Sequence, residues 1–337
     1  MLQFKNSTPF KGAIMLLPDP DGIDSLFTVV KATFTLEERP VPAEEQLPVA
    51  VEQEFYSEPD QSSIKTPCDV SLMKPGTDVL LIGSAYAPRG RATTWMDVGI
   101  SIGPLKKTIR AFGDRVWKTG TKELSYSISE PQPFETMPLV WERAFGGIEK
   151  TVKPAAAEVR NPVGMGFRSS EVKESIAGVR LPNLEDPATP IGAWDQRPQP
   201  AGFAPICAHW EPRRSYAGTY DDEWQKHRAP YLPKDFDARF FQLAPPGLIA
   251  PGYLKGGEPV ELRGVTRAGM LRFRLPQAKL KVSYRLDGLP EERPAQLDTV
   301  LIEPEHSRFT LTWRSVFPCD KKALRVSEIE ATLVSLN

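Results

Sequence analysis

Hydrophobic and polar residues alternate with a period of two through much of the first 130 residues. In "SLFTVVKATFTL" (25–36), Leu26, Thr28, Val30, Ala32, Phe34 and Leu36 share one face, and Phe27, Val29, Lys31, Thr33 and Thr35 share the other. Side chains point to opposite sides of an extended chain, and β-branched and aromatic residues suit its pleated surface. The stretch therefore predicts a strand. "TDVLLIGSAYAP" (77–88), "WMDVGISIG" (95–103), "KKTIRAFGDRVW" (106–117) and "KELSYSIS" (122–129) read the same way between Gly and Pro punctuation. "EERPVPAEEQLP" (37–48) reads as an exposed, Pro-rich connection.

From Pro131 to Gly257 the alternation fades, and Pro, Gly, Trp and Phe crowd in. A short helix is expected after Thr219, whose hydroxyl would cap it with Asp222 three positions on, and Pro230 would end it. A second helical turn is expected near Asp235–Leu243, with Phe236, Phe240 and Leu243 on one side. From Glu258 strands return in "PVELRGV", "GMLRFRLP", "AKLKVSYRLDG", "LDTVLIEP" and "RFTLTWRSVF". "LDGLPEERPAQLDTV" (286–300) predicts a hairpin with a polar connection, and the tail "ALRVSEIEATLVSLN" (323–337) a strand. No period of 20–50 residues repeats, which argues against a solenoid or propeller. The expected fold is mainly β and sandwich-like. One domain (1–337) would hold sheets at both ends (1–130 and 258–337), an irregular Pro/Gly/aromatic-rich middle (131–257) and few short helices.

Composition sharpens this picture in one respect. The chain holds 34 prolines in 337 residues, roughly double the ~5% average. Proline removes a backbone donor and breaks helix interiors, which favours short strands and structured loops. The formal charge of −1 gives no basic field of the kind nucleic-acid binders carry. No apolar run approaches the ~18 residues that mark a membrane helix. The apolar patch Ala13–Leu17 is closed by "PDPDG" without a small-residue cleavage site, so no signal peptide is expected. Three widely spaced cysteines, Cys68, Cys207 and Cys319, suggest reduced thiols in the cytoplasm.

Candidate chemistry is sparse. "GISIG" (99–103) fits a nucleophile elbow at Ser101, but Val98, Ile100 and Ile102 alternate straight through it, as in a strand rather than a strand–turn–helix. The three histidines, His209, His227 and His306, lack metal-ligand spacing, and Cys207 with His209 is a weak pair. No phosphate-cradling or dinucleotide loop is present, so neither cofactor nor metal is expected. The densest segment is Arg213–Phe241, with five Asp/Glu, six Lys/Arg and seven aromatic rings. Its carboxylates, Asp221, Asp222, Glu223, Asp235 and Asp237, could serve glycoside hydrolysis. The interleaved Arg and Lys favour internal ion pairs or a docking face instead. Tyr, Trp and Arg are enriched at binding hot spots, which makes Arg214, Tyr216, Tyr220, Trp224, Phe236 and Arg239 the candidate partner-binding residues. Glu142 and Arg143 are expected to form a buried structural pair, and Asp221 and Arg239 to have a structural role as well.

The order and content of several motifs resemble the effector-adaptor (chaperone) family of type VI secretion systems over nearly the whole chain. They are "KATF" (31–34), "KPGTDVLLIGSAYAPRG" (74–90), "GDRVW" (113–117), "PFETMPLVWERAFGG" (133–147), "NPVGMGF" (161–167) and "LPNLE" (181–185). "GFAPI" (202–206), "WEPRRSYAGTYDDEW" (210–224), "PKDFDARFF" (233–241) and "LDTV" (297–300) follow. The resemblance implies a cytoplasmic, non-enzymatic protein that binds a cognate toxic effector through a PAAR-type or linker region. It would stabilise the effector and promote its loading onto the VgrG spike. The alternative is a carbohydrate-active enzyme or carbohydrate-binding protein using residues 213–241.

Overall fold

A strand with apolar residues on both faces belongs inside a sheet, and Asp24–Thr35 (β3) is buried along nearly its full length. The computed structural model describes residues 2–59, 61–120, 125–172 and 174–337. In it β3 is the second strand of a five-stranded sheet, flanked by Lys11–Pro18 (β2) and Arg308–Pro318 (β13). Gln296–Glu303 (β12) and Asp78–Leu81 (β4) complete that sheet, with β4 running parallel to β12.

Two further sheets pack on it. A four-stranded sheet orders Gln3–Ser7 (β1), Val326–Leu336 (β14), Ala278–Leu286 (β10) and Leu289–Pro294 (β11). A five-stranded sheet orders Leu184–Glu185 (β7), Leu105–Phe112 (β6), Trp95–Ile102 (β5), Pro259–Arg263 (β8) and Met270–Arg274 (β9). The molecule is mainly β, as the alternation predicts. Chain position does not segregate the sheets, however, because each contains strands from both ends of the sequence.

The central sheet has two unlike faces. Val30, Ala32 and Phe34 of β3 and Phe309, Leu311 and Trp313 of β13 form a buried apolar face. The other two sheets cover its opposite ends. Tyr284 of β10 stacks on Phe317 with centroids 4.7 Å apart, and Phe273 of β9 meets Phe309 at 5.2 Å. The reverse face carries Lys31, Thr310, Thr312, Arg314, Thr299 and Asp78, all buried. Segments from the chain between β3 and β4 lie over it and satisfy its charges. Lys31 Nζ donates to Asp69 at 2.7 Å, and Lys74 Nζ donates to Asp78 at 2.8 Å and to Thr299 at 2.7 Å. Arg314 Nε donates to Asp298 at 2.7 Å and its Nη2 to the Asp69 carbonyl. Buried charges require such pairing, since desolvation costs several kcal/mol per ion.

The connection 37–48 is irregular and largely exposed, but it is tied down. The Gln46 side-chain amide both accepts from the Thr33 N–H and donates to its carbonyl, so a side chain substitutes for a neighbouring strand. Two expectations need correction. The hairpin in 286–300 turns at Asp287–Gly288, both with positive φ, and the polar "PEER" stretch belongs to strand β11 rather than to the connection. Glu142 and Arg143 do not pair with each other; they follow Trp141 in a single 3₁₀ turn and diverge. Of "KELSYSIS", Tyr126–Ile128 is a strand, and Lys122, Glu123 and Leu124 lie outside the described residues.

Candidate functional site

Segment 213–241 is a surface knob held at its base by one buried arginine. Arg213 donates from Nη1 to the Ile206 carbonyl at 2.6 Å and from Nε to the Phe240 carbonyl at 2.9 Å. It thereby joins the start of the segment to its end. Burial lowers its pKa to about 10, against the attraction of Asp78. Just before it, Trp210 is fully buried and meets Trp141 edge-on at 6.2 Å. The knob therefore grows out of the main core.

Above that base the backbone folds back on itself. Gly218 takes φ +80°, where a Cβ would come within 2.9 Å of both Pro233 and Asp235, so the close return favours glycine. Asp235 then accepts from the Thr219 N–H at 3.0 Å and from its hydroxyl at 2.7 Å. The short helix Asp222–His227 (α1) follows. Its cap is Asp221, which accepts from the Trp224 N–H at 2.8 Å, and not Thr219 as the sequence suggested. The second expected turn is a 3₁₀ element, Ala238–Phe241, capped by Asp237.

The rings divide between the two halves of the knob. Tyr220 packs on Trp224 with centroids 4.7 Å apart, and Trp224 Nε1 donates to the Tyr231 carbonyl at 2.8 Å. Tyr220 remains 53% exposed and Tyr231 41%, so this half presents aromatic surface to solvent. In the other half Phe236, Phe240 and Phe241 form a mutual, half-buried cluster at 5.4–5.6 Å. Arg239 lies 4.3 Å over Tyr216 and pairs with Asp237 at 2.5 Å. Arg214 is exposed. Of the six partner candidates, Arg214, Tyr220 and Arg239 are thus at the surface, Trp224 and Tyr216 are half-buried, and Phe236 is turned into its cluster.

Four of the knob's five carboxylates have partners within their own segment. Asp221 caps α1, Asp235 and Asp237 hold local backbone, and Glu223 faces His227 at 3.8 Å. Hydrogen bonds from Thr219 hold Asp235 below the ordinary carboxylate range, and those from Arg239 do the same for Asp237. A cleft of about 220 Å³ opens between α1 and residues 233–235, lined by Trp224, His227 and Lys234 among others. Among the described residues no group of three or more His, Cys, Asp or Glu could hold a metal ion. Ser101 is the next-to-last residue of β5, extended and paired with Lys106 on one side and Glu261 on the other, with no strand–turn–helix elbow at it. Asp221, Asp235 and Asp237 are thus occupied with capping and bracing.

The remaining motifs meet one another inside the fold. Glu142 accepts from the Ser63 N–H at 2.7 Å and its hydroxyl at 2.5 Å. Arg143 donates to Asn183 at 3.0 Å and lies 3.4 Å from Asp114. Asn161 Nδ2 donates to the Trp141 and Phe145 carbonyls, and Arg115 pairs with Glu185. Composition alone hid these joints, although each uses residues of the quoted motifs.

Residues 21–314 match a bacterial family described as "Uncharacterized protein conserved in bacteria (DUF2169)". The chain belongs to that family. No curated protein and no solved structure matches it. For this family member, no helix among the described residues is long and apolar enough to cross a membrane.

Proposed function

We propose that the protein is a non-enzymatic adaptor. It binds a cognate type VI secretion effector in the cytoplasm, stabilises it and promotes its loading onto the VgrG/PAAR spike. The ordered motif set supports the secretion-system assignment. One structural observation supports recognition over catalysis: the knob turns Tyr220, Tyr231, Arg214 and Arg239 outward, while Asp221, Asp235 and Asp237 are bound within it. Rings anchor an interface by burying large area at low entropic cost, and arginines orient it.

Co-expression with a candidate type VI effector or VgrG spike protein tests the reading, with co-purification as readout. The wild-type chain is expected to capture the effector. Tyr220→Ala, exposed and outside the core, should weaken capture about tenfold or more if it is a hot spot, and Ser101→Ala should leave capture unchanged. A chain that captures neither protein and cleaves a glycan would overturn the proposal.

A further inference from the structure

Edge strands expose unpaired backbone groups, and proteins usually protect them with prolines, charges, shortness or a covering segment. Five of the six edges of the three main sheets follow this rule. β11 carries Pro290, Glu291, Glu292, Arg293 and Pro294; β9 carries Arg272 and Arg274; β7 is only two residues long. β1 is short and polar, and β4 is covered, since Val79 and Leu81 donate outward to the Leu248 and Phe203 carbonyls. β2 differs. It is eight residues long, reads "KGAIMLLP", and leaves Leu16 49% exposed.

The register shows which of its groups face out. Thr35 donates to Val41 and Ala43 donates to Thr33 on the side of β3 that β2 occupies. Odd-numbered residues of β3 therefore bond toward β2, to Lys11, Ala13, Met15 and Leu17. The N–H and C=O of Gly12, Ile14 and Leu16 point away from the sheet, and among the described residues none of them meets a backbone partner.

We infer that this edge is the seam of a symmetric dimer, in which β2 pairs antiparallel with β2 of a second copy. Centred on Ile14, the pairing sets Gly12 opposite the partner's Leu16 and Ile14 opposite the partner's Ile14. The outward groups of three residues a side are then all satisfied. Charge selects a second copy as occupant. The strand begins at Lys11 and runs into a turn bearing Asp19 and Asp21, so antiparallel pairing brings each basic end to the partner's acidic end. Such self-complementarity is the requirement for a twofold interface. The two central sheets join into one of ten strands. This inference stands independently of the adaptor reading.

Sedimentation velocity on the full chain, from about 1 to 200 µM, tests it, because a one-strand seam is small for a specific interface and implies micromolar association. A concentration-dependent dimer is expected, weakened by salt. Ile14→Pro removes one outward N–H without touching the ladder to β3, and should weaken dimerisation about tenfold or more. Leu16→Lys, at an exposed position, should do the same with an unchanged melting temperature, and it decides the matter if the proline variant fails to fold. Lys11→Glu should weaken the dimer as well. A monomer across the whole range, a dimer that survives Leu16→Lys, or association only with a different protein would each overturn the inference.

Discussion

Arg314 and Asp298 are 1% and 0% exposed and sit 2.7 Å apart on the polar face of the central sheet. Removing one partner strands the other charge in a dry site, so Arg314→Ala or Asp298→Ala should each cost about 3–5 kcal/mol. The double replacement Arg314→Met/Asp298→Leu should cost less than either single change, and thermal or urea unfolding reads the difference. Lys107 is a residue-scale case of a different kind. It is half-buried beside Pro246, to whose carbonyl its Nζ donates at 2.8 Å. Burial lowers its pKa to about 8 despite the nearby Asp186. The unfolded chain, with an ordinary lysine near 10.5, holds that proton more tightly. Raising the pH from about 8 toward 10.5 therefore removes a cost from the folded state and stabilises it through this group. Near pH 8 about half of Lys107 is the neutral amine, so mass-spectrometric acylation mapping should find it labelled faster than the exposed Lys279. Equal rates would refute the shift.

At the scale of elements, α1 is too short to hold itself together, because isolated helices under about 12 residues are marginal in water. Its cap carries much of the burden, and Asp221→Ala should destabilise it by about 1 kcal/mol. Hydrogen exchange is expected to show faster opening at Trp224 and Gln225, with the central sheet unchanged. Which residue caps was not legible, since Thr219 and Asp221 are both suitable cap types; the return at Gly218 commits Thr219 to Asp235 instead. The hairpin at 286–300 is instructive too. Asp287–Gly288 is a sound turn signal, since both can take positive φ, but the charged "PEER" stretch was read as the loop. An edge strand wetted on both faces has no reason to alternate, and β11 is such a strand. The Glu142–Arg143 pair failed for a geometric reason: consecutive residues in a helical turn point in different directions, and each side chain found partners far along the chain.

For the whole molecule, period-two patterning and proline content determined a mainly β architecture, most strand positions and an irregular aromatic middle. That much is local, because alternation records which side of a strand faces the core. Residues 21–314 place the chain in an uncharacterized bacterial family. Tertiary structure alone decided that the first and last thirds of the chain interleave in common sheets, since strand partnership depends on residues hundreds of positions apart. It also decided that ionic residues inside apolar strands, Lys31, Asp298 and Arg314, form a covered polar face rather than an exposed one. Lys31 stands out even in the alternation of 25–36, but its partner Asp69 lies in a loop that no periodicity places. Within segment 213–241 the sequence determined a concentration of rings and charges. Only the fold could sort them, because the rings that face solvent and those that face one another share one composition and differ solely in what the returning backbone sets beside them.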